Sequence, residues 1–428
     1  MITSFHIQNF RSILDLTLDF TYAEGKAPNG YKEAEVMPFF KKGGKRVVPC
    51  LAFFGANASG KTNIIKALKA LDQMVLNGAK PKDVYEPNEL YRKYADTQFR
   101  LEFTYEDTLF EYRICFDCFE IKSERLSKNG DVLYEIKAGL LFPFHKIINK
   151  SYDQLKLTDI LRVECSDGEG RQNRLFLSRI GESYAGLHAD LKTAHDFFLK
   201  KIQILDNEHT VPLKASIEFL AQAMNFNEDA ALKEITEVIR RLDIDIQKID
   251  FAEDQSVVST YLIRKSDSGL DQNIKIRTEP LIHSIRMDVT GNPVYLNFVK
   301  TESAGTQRLA GLVGLILYSL KVGGVFVVDE LECSLHALLL REILSLYKNR
   351  RHNATGAQLI FTTHNTDILD DSVLRLSEIA LVRKTVANGT IVRRLAEFKN
   401  DGEDLRNVHN FRKQYLAGFY SAIPHPAL

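Results

Sequence analysis

Two periods divide this chain. Polar and apolar residues alternate from Ser4 to Phe10 and from Leu14 to Phe20, which predicts two strands joined by a turn through Arg11 and Ser12. A polar, glycine-bearing stretch over 23–45 follows. Val47 to Phe54 is then apolar without alternation, the form of a strand covered on both faces. Asn63 to Leu76 has helical spacing with one apolar face. Alternation returns from Phe99 to Ile136 as short strands with polar turns at Glu106-Asp107 and Lys128-Asn129-Gly130, a meander. Helical spacing reappears from Tyr184 to Leu205 (Leu187, Leu191, Ala194, Phe198, Ile202, Leu205), from Leu213 to Met224 and from Glu228 to Leu242. Strands are predicted at Ile244–Phe251, Ser259–Lys265, Asn273–Thr278 and Val294–Lys300, then an apolar helix at Gln307–Leu320. No heptad pattern runs long enough for a coiled-coil arm, and no internal repeat is present.

Between the unbroken apolar run and the first helix stands Gly55-Ala56-Asn57-Ala58-Ser59-Gly60-Lys61-Thr62, which satisfies the phosphate-cradle pattern GxxxxGK[ST] at a strand-to-helix turn. Glycines let such a turn curl its backbone N–H groups around an anion. Lys61 then reaches the β- and γ-phosphates and the Thr62 hydroxyl ligates Mg²⁺. Nucleotide binding is the first expectation.

A second apolar run, Val325 to Val328, ends in Asp329-Glu330, and a third, Leu359 to Thr363, ends in His364. Carboxylates at the carboxyl end of a parallel strand face the ligand edge of such a sheet. Asp329 is therefore expected to hold the Mg²⁺ hydration shell and Glu330 to polarise the attacking water. Two acids opening a turn before a helix are the simpler reading. His364 would contact the γ-phosphate, or be a hydrogen-bonded core histidine. Thr301 to Thr306, with Ser303 and Gly305, opens the helix near Gln307 and reads equally as an anion-seeking amino terminus or a plain cap.

Composition narrows the setting. The 428 residues suit two to three domain-sized units of about 150 residues each. Lysine plus arginine and aspartate plus glutamate both number 56, so no global field draws the chain to nucleic acid or an anionic membrane. The cluster Lys41-Lys42-Gly43-Gly44-Lys45-Arg46 reads as a solvated hairpin tip. The amino terminus lacks the layout of a secretion signal, the longest apolar run (Leu309 to Leu320) is too short to span a bilayer, and five cysteines suit a reducing compartment. A cytoplasmic protein is expected. Cys115 and Cys118 form a lone CxxC inside a strand pattern and read as strand or core residues.

Taken together these segments resemble the ATPase heads of the ABC class, specifically the SMC and RecF group with the OLD family and standalone AAA-family ATP-binding proteins of bacterial anti-phage operons. Ile7-Gln8-Asn9-Phe10-Arg11-Ser12 is similar to that group's opening strand, and Gly55, Asn57, Ser59, Gly60, Lys61, Thr62 and Asn63 to its phosphate loop. Glu302 to Thr306 resembles the signature motif, with Ala304 where the first glycine usually stands. Asp329-Glu330 resembles the Walker B pair, Ser334-Leu335-His336 the D-loop, and His364 the switch histidine. Tyr415 to Phe419 with Ile423-Pro424 resembles the ending of short defence ATPases. Gln98 and Glu124 are weak candidates for the Q-loop position.

The resemblance implies an α/β, ABC-type P-loop ATPase head with a mixed central sheet, an antiparallel β-subdomain and a helical insertion. It divides the chain into 1–140 and 291–428 as the two parts of the head, with 141–290 as an insertion of unassigned role. It also implies ATP and Mg²⁺ as cofactors, Thr62 and Asp329 on the metal, Glu330 and His364 as catalytic groups, and Ser303 and Gly305 acting on ATP held by a second copy. A homodimer or higher even-numbered assembly follows. Only 64 residues follow His364, too few for a further catalytic domain, so the output would lie in a separate effector, a nuclease or toxin. The alternatives are a DNA-repair ATPase that clamps duplex and, disfavoured by the long span between cradle and signature, a transporter subunit.

Overall fold

The computed structural model describes residues 1–22, 40–42, 45–90, 95–105, 107–143, 151–183, 188–206, 213–224, 227–242, 245–266, 269–332, 335, 337–370, 372–400, 403–404 and 411–420. The expected features at Ser334, His336 and Ile423-Pro424, and most of the polar stretch 23–45, lie outside them. By internal contacts the chain forms two units, Met1–His209 with Ser319–Leu428, and Thr210–Tyr318.

The first unit is an α/β structure on a 13-stranded mixed sheet. Its parallel half runs Ile379–Thr385, Cys50–Phe54, Gln358–Thr363, Val325–Val328, Ile202–Leu205. Every residue of Cys50–Phe54, Val325–Val328 and Gln358–Thr363 is buried, which is why these strands read as unbroken apolar runs. The antiparallel half holds Ile13–Asp19, Ile2–Phe10, Thr97–Tyr105, Thr108–Phe116, Ile121–Lys128, Asp131–Lys137 and Leu140–Pro143. Its members alternate in burial, as in Ile13–Asp19 and Thr108–Phe116. The halves join through Gly389–Arg394, whose register with Ile13–Asp19 is the single pair Gly389 to Ile13.

Helix Lys61–Leu76 buries Ile64, Ile65, Leu68, Leu71, Met74 and Val75. Helix Ala189–Lys201 brings Phe197 onto Phe103, with ring centroids 4.0 Å apart. The helical pattern predicted to Leu205 stops at Lys201. Ile202–Leu205 instead becomes an edge strand beside Val325–Val328, satisfying that strand's outer backbone groups with a segment rich in β-branched residues. The basic 41–46 segment spans a short hairpin, Phe40–Lys42 with Lys45–Val47, and Lys45 pairs with Glu102 at 2.5 Å.

The second unit contains helices Leu213–Met224 and Glu228–Arg241 and a three-stranded antiparallel sheet, Lys248–Ser266, Gly269–Met287 and Pro293–Asn297. The strand predicted to run to Lys300 ends at Asn297, whose side chain accepts the Lys300 N–H at 3.0 Å and caps a short helix, Phe298–Thr301. Helix Ala304–Val322 follows.

Candidate functional site

The phosphate loop joins strand Cys50–Phe54 to helix Lys61–Leu76. Gly60 sits at φ 104°, and a side chain there would meet Thr390 Oγ1 at 2.0 Å; a Cβ on Gly55 would meet the Val382 carbonyl at 2.2 Å. Both glycines are required by space, and Gly60 by conformation as well. The helix that follows has no side-chain cap and no acid in its first turn, so its positive end stays available to an anion. Asn57 is exposed, Thr62 and Asn63 are half-buried, and the Ser59 hydroxyl is buried with no partner among the described residues.

Lys61 curls back over this loop. It is 5% exposed and donates to the carbonyls of Gly55 at 2.8 Å and Ala56 at 3.0 Å. Desolvation pulls its pKa down to about 8, against the opposing pull of Asp329, Glu330 and Glu332. Those carboxylates therefore lie within electrostatic reach of the ammonium.

The acids arrive from the neighbouring strands. Because Cys50–Phe54, Gln358–Thr363 and Val325–Val328 are parallel and in register, their carboxyl ends share one edge of the sheet. Asp329 is fully buried. Its Oδ1 accepts the Thr362 hydroxyl at 2.5 Å, while Oδ2 has no partner among the described residues. The Glu330 N–H donates to the same Thr362 oxygen at 2.7 Å, and Glu330 takes a left-handed φ of 51°, a conformation uncommon outside glycine that turns the chain off the strand end. His364, exposed, follows the adjacent strand, and its N–H donates to Glu332 Oε1 at 2.5 Å. Its imidazole pKa is lowered by desolvation first and by the Lys61 ammonium second.

The loop is held from two sides by Ser12 and Thr390, which sequence reasoning did not assign to it, and by Asn63, which it did. Asn63 Nδ2 donates to Ser12 Oγ at 2.6 Å, Ser12 Oγ bonds Thr390 Oγ1 at 2.7 Å, and Thr390 Oγ1 donates to the Ser59 carbonyl at 3.2 Å. Asn63 is thus committed to Ser12. Beside this clamp a cavity of about 870 Å³ is lined by Arg11, Ser12, Asn63, Tyr85, Asn88 and Lys384, among others.

Of the remaining candidates, Ser303 and Gly305 belong to the second unit. The exposed Ser303 Oγ accepts the Thr306 N–H at 3.1 Å and so caps helix Ala304–Val322. The preceding Glu302 is buried, taking Ser284 Oγ at 2.6 Å and Arg286 Nη2 at 2.8 Å. Glu124 is enclosed in the antiparallel half, its oxygens accepting from Tyr112, Tyr134, Gln172 and the N–H groups of Phe176 and Leu177. Gln98 stands exposed on strand Thr97–Tyr105. Cys115 donates to Asp96 at 3.7 Å, and burial pushes its thiol up to about 12.

The orphaned oxygens of Asp329 and Ser59 and the Thr62 hydroxyl suit a hard, oxygen-seeking cation held jointly with phosphates. No group of three or more His, Cys, Asp or Glu side chains is assembled for a metal among the described residues, and magnesium at a phosphate loop needs none, since one carboxylate, one hydroxyl and the substrate supply its oxygens.

A phosphate loop, an acid pair and a histidine on adjacent parallel strand ends, beside an antiparallel extension of the same sheet, define an α/β P-loop domain of the ATPase class. The chain belongs to the family described as "AAA domain, putative AbiEii toxin, Type IV TA system", whose profile matches residues 50–370. No curated protein matches it. Among solved structures it is similar to the SMC head domain from Thermotoga maritima, at 13% identity over 92% of this chain and 98% of that one, with a TM-score of 0.36. It is also similar to the Smc head domain with an extended coiled coil bound to the C-terminal domain of ScpA from Pyrococcus furiosus. There the identity is 12% over 92% and 95% of the two chains, with a TM-score of 0.40. No helix among the described residues is long and apolar enough to cross a membrane.

Proposed function

We propose that the chain binds MgATP in the loop around Lys61 and hydrolyses it slowly as the switch of a defence or toxin–antitoxin system. The observation that carries the reading is the fully buried Asp329, with one carboxylate oxygen unpartnered among the described residues, within electrostatic reach of a desolvated Lys61 at the carboxyl edge of the sheet. A buried charge left half-satisfied is costly, and such a cost is retained where a ligand completes the shell.

In this reading Lys61 leaves the carbonyls of Gly55 and Ala56 for phosphate oxygens, while Gly55, Asn57, Ser59, Gly60, Thr62 and Asn63 shape and line the cradle. The cavity beside Ser12 and Asn63 takes the base and sugar. Magnesium, when bound, neutralises charge on the β- and γ-phosphate oxygens; Thr62 and Asp329 are the residues that would hold it. Glu330 takes the proton of the attacking water, and His364 hydrogen-bonds the phosphate end. Ser303 and Gly305 act on nucleotide held by a second copy, so ATP favours the paired heads and hydrolysis releases them.

The setting rests on resemblance and on the family's description, which names a toxin of a type IV system. We read the chain as a cytoplasmic sensor or scaffold controlling a separately encoded nuclease or toxin. The test is Glu330→Gln. With ATP and magnesium it is expected to lose turnover on the order of 100-fold or more and to run as a persistent dimer in light scattering; turnover equal to the parent chain removes Glu330 from the role. Steeply salt-dependent binding to duplex DNA would favour the repair-type clamp instead.

A further inference from the structure

Three residues beyond Asp329 stands a carboxylate that the proposed reaction does not use. The chain leaving the acid pair is stitched to strand Gln358–Thr363: the Glu330 N–H donates to Thr362 Oγ1 at 2.7 Å and the Leu331 N–H to the Thr362 carbonyl at 3.1 Å. Leu331, 1% exposed, anchors the turn in the core. Glu332 then crosses to the neighbouring strand end, where its Oε1 accepts the His364 N–H at 2.5 Å. One short side chain therefore ties the turn carrying the general base to the backbone of the histidine.

A carboxylate used only as a staple is expected to have both oxygens satisfied, as those of Glu124 are. Glu332 differs, because its Oε2 is buried with no partner among the described residues. Its charge also bears on Lys61 and His364, which places it in the same electrostatic cluster as Asp329 and Glu330. Glu332 thus joins, through one hydrogen bond and through its place in that cluster, the turn of Glu330 to the start of the histidine turn.

We propose that Glu332 is the positioning residue of the histidine turn, holding His364 in register with Glu330 so that both meet the same phosphate end. This rests on the assignment of Glu330 and His364 made above. Its effect should pass through His364, and a double-mutant comparison isolates that.

The experiment uses the full chain with ATP and magnesium, reading steady-state turnover and the Kd of a fluorescent ATP analogue. Glu332→Leu is expected to lower turnover about tenfold or more at unchanged Kd. Glu332→Leu combined with His364→Ala should be no slower than His364→Ala alone, and Glu332→Gln, whose amide oxygen still accepts the N–H, should restore most of the rate. Additive losses in the double variant, a parallel loss of nucleotide affinity, or a Gln variant as slow as the Leu one would each overturn the proposal. Should Glu332→Leu not fold, Glu332→Asp keeps the charge but withdraws it by one methylene; it is expected to be slow, and a parent-like rate overturns the proposal equally. A parent chain without turnover, or one indifferent to Glu330→Gln, removes the underlying reading. A parent-like Glu332→Leu beside an inactive Glu330→Gln removes only this inference.

Discussion

Glu124 and Asp329 are both fully buried carboxylates in one sheet, and they are treated in opposite ways. Glu124, in the antiparallel half, accepts five hydrogen bonds, two of them from the backbone that opens helix Phe176–Ser183. Its pKa is raised by burial, with those bonds pulling the other way. Asp329, at a parallel strand's carboxyl end, receives Thr362 on one oxygen and nothing among the described residues on the other. The difference separates a charge that finishes the fold from one with an oxygen left open among the described residues, the one that the proposed reading gives to a ligand. Sheet direction underlies it, because parallel strands gather their carboxyl ends along one edge, whereas an antiparallel meander points successive ends in opposite directions.

Exchanging the two roles gives the largest test of this contrast. Asp329→Ala is expected to weaken magnesium-dependent nucleotide binding on the order of 100-fold with only a small loss of stability, since one hydrogen bond, from Thr362, and an attraction to Lys61 go with it. Glu124→Ala should do the reverse. It strands five donors and costs about 3 kcal/mol of stability, with nucleotide affinity of the folded fraction unchanged. Calorimetry paired with an equilibrium binding assay checks both; an Asp329→Ala as destabilised as Glu124→Ala, or a binding-deficient Glu124→Ala, would break the comparison.

Lys61 gives a smaller, pH-resolved effect. Its folded pKa, about 8, lies below its ordinary value, so the cost of burying the ammonium is fully present below that pH and is relieved as pH rises from there toward the unfolded value. Lys61→Met should therefore melt above the parent chain at pH 7, with the gap closing in alkaline buffer. Affinity of the parent for ATP should decline above about pH 8, as the free chain loses the charge that meets phosphate. The smallest expected change is at the clamp. Thr390→Val keeps the volume but drops the bonds to Ser12 and the Ser59 carbonyl, and is expected to weaken ATP binding roughly fivefold, about 1 kcal/mol. Thr390→Ser should not.

What the sequence made legible follows a simple division. The loop at Gly55–Thr62 and the strand ends at Asp329 and His364 are local in the chain, each an apolar run giving way to polar groups, so their pattern reads directly. The family and the α/β class followed from them. The Thr390 hydroxyl pairs with Ser12 across 378 positions, and no local period announces a partner so remote. The same holds for the Glu332 bridge and for Glu124, whose donors arrive from separate strands and a helix start. Ile202–Leu205 misled for another reason: its apolar spacing continues the preceding helix, and the open edge beside Val325–Val328 outweighs that local preference.

The junction at Gly389 and Ile13 has a mechanical consequence. Where the two halves of the sheet meet, the ladder narrows to a single register pair, reinforced by the Thr390 N–H on the Ser12 carbonyl at 2.8 Å, and the hydroxyls of those same two residues pin the turn ahead of Lys61. A shift of one plate against the other would therefore fall on the same two residues that hold the cradle's turn, at the thinnest weld between them.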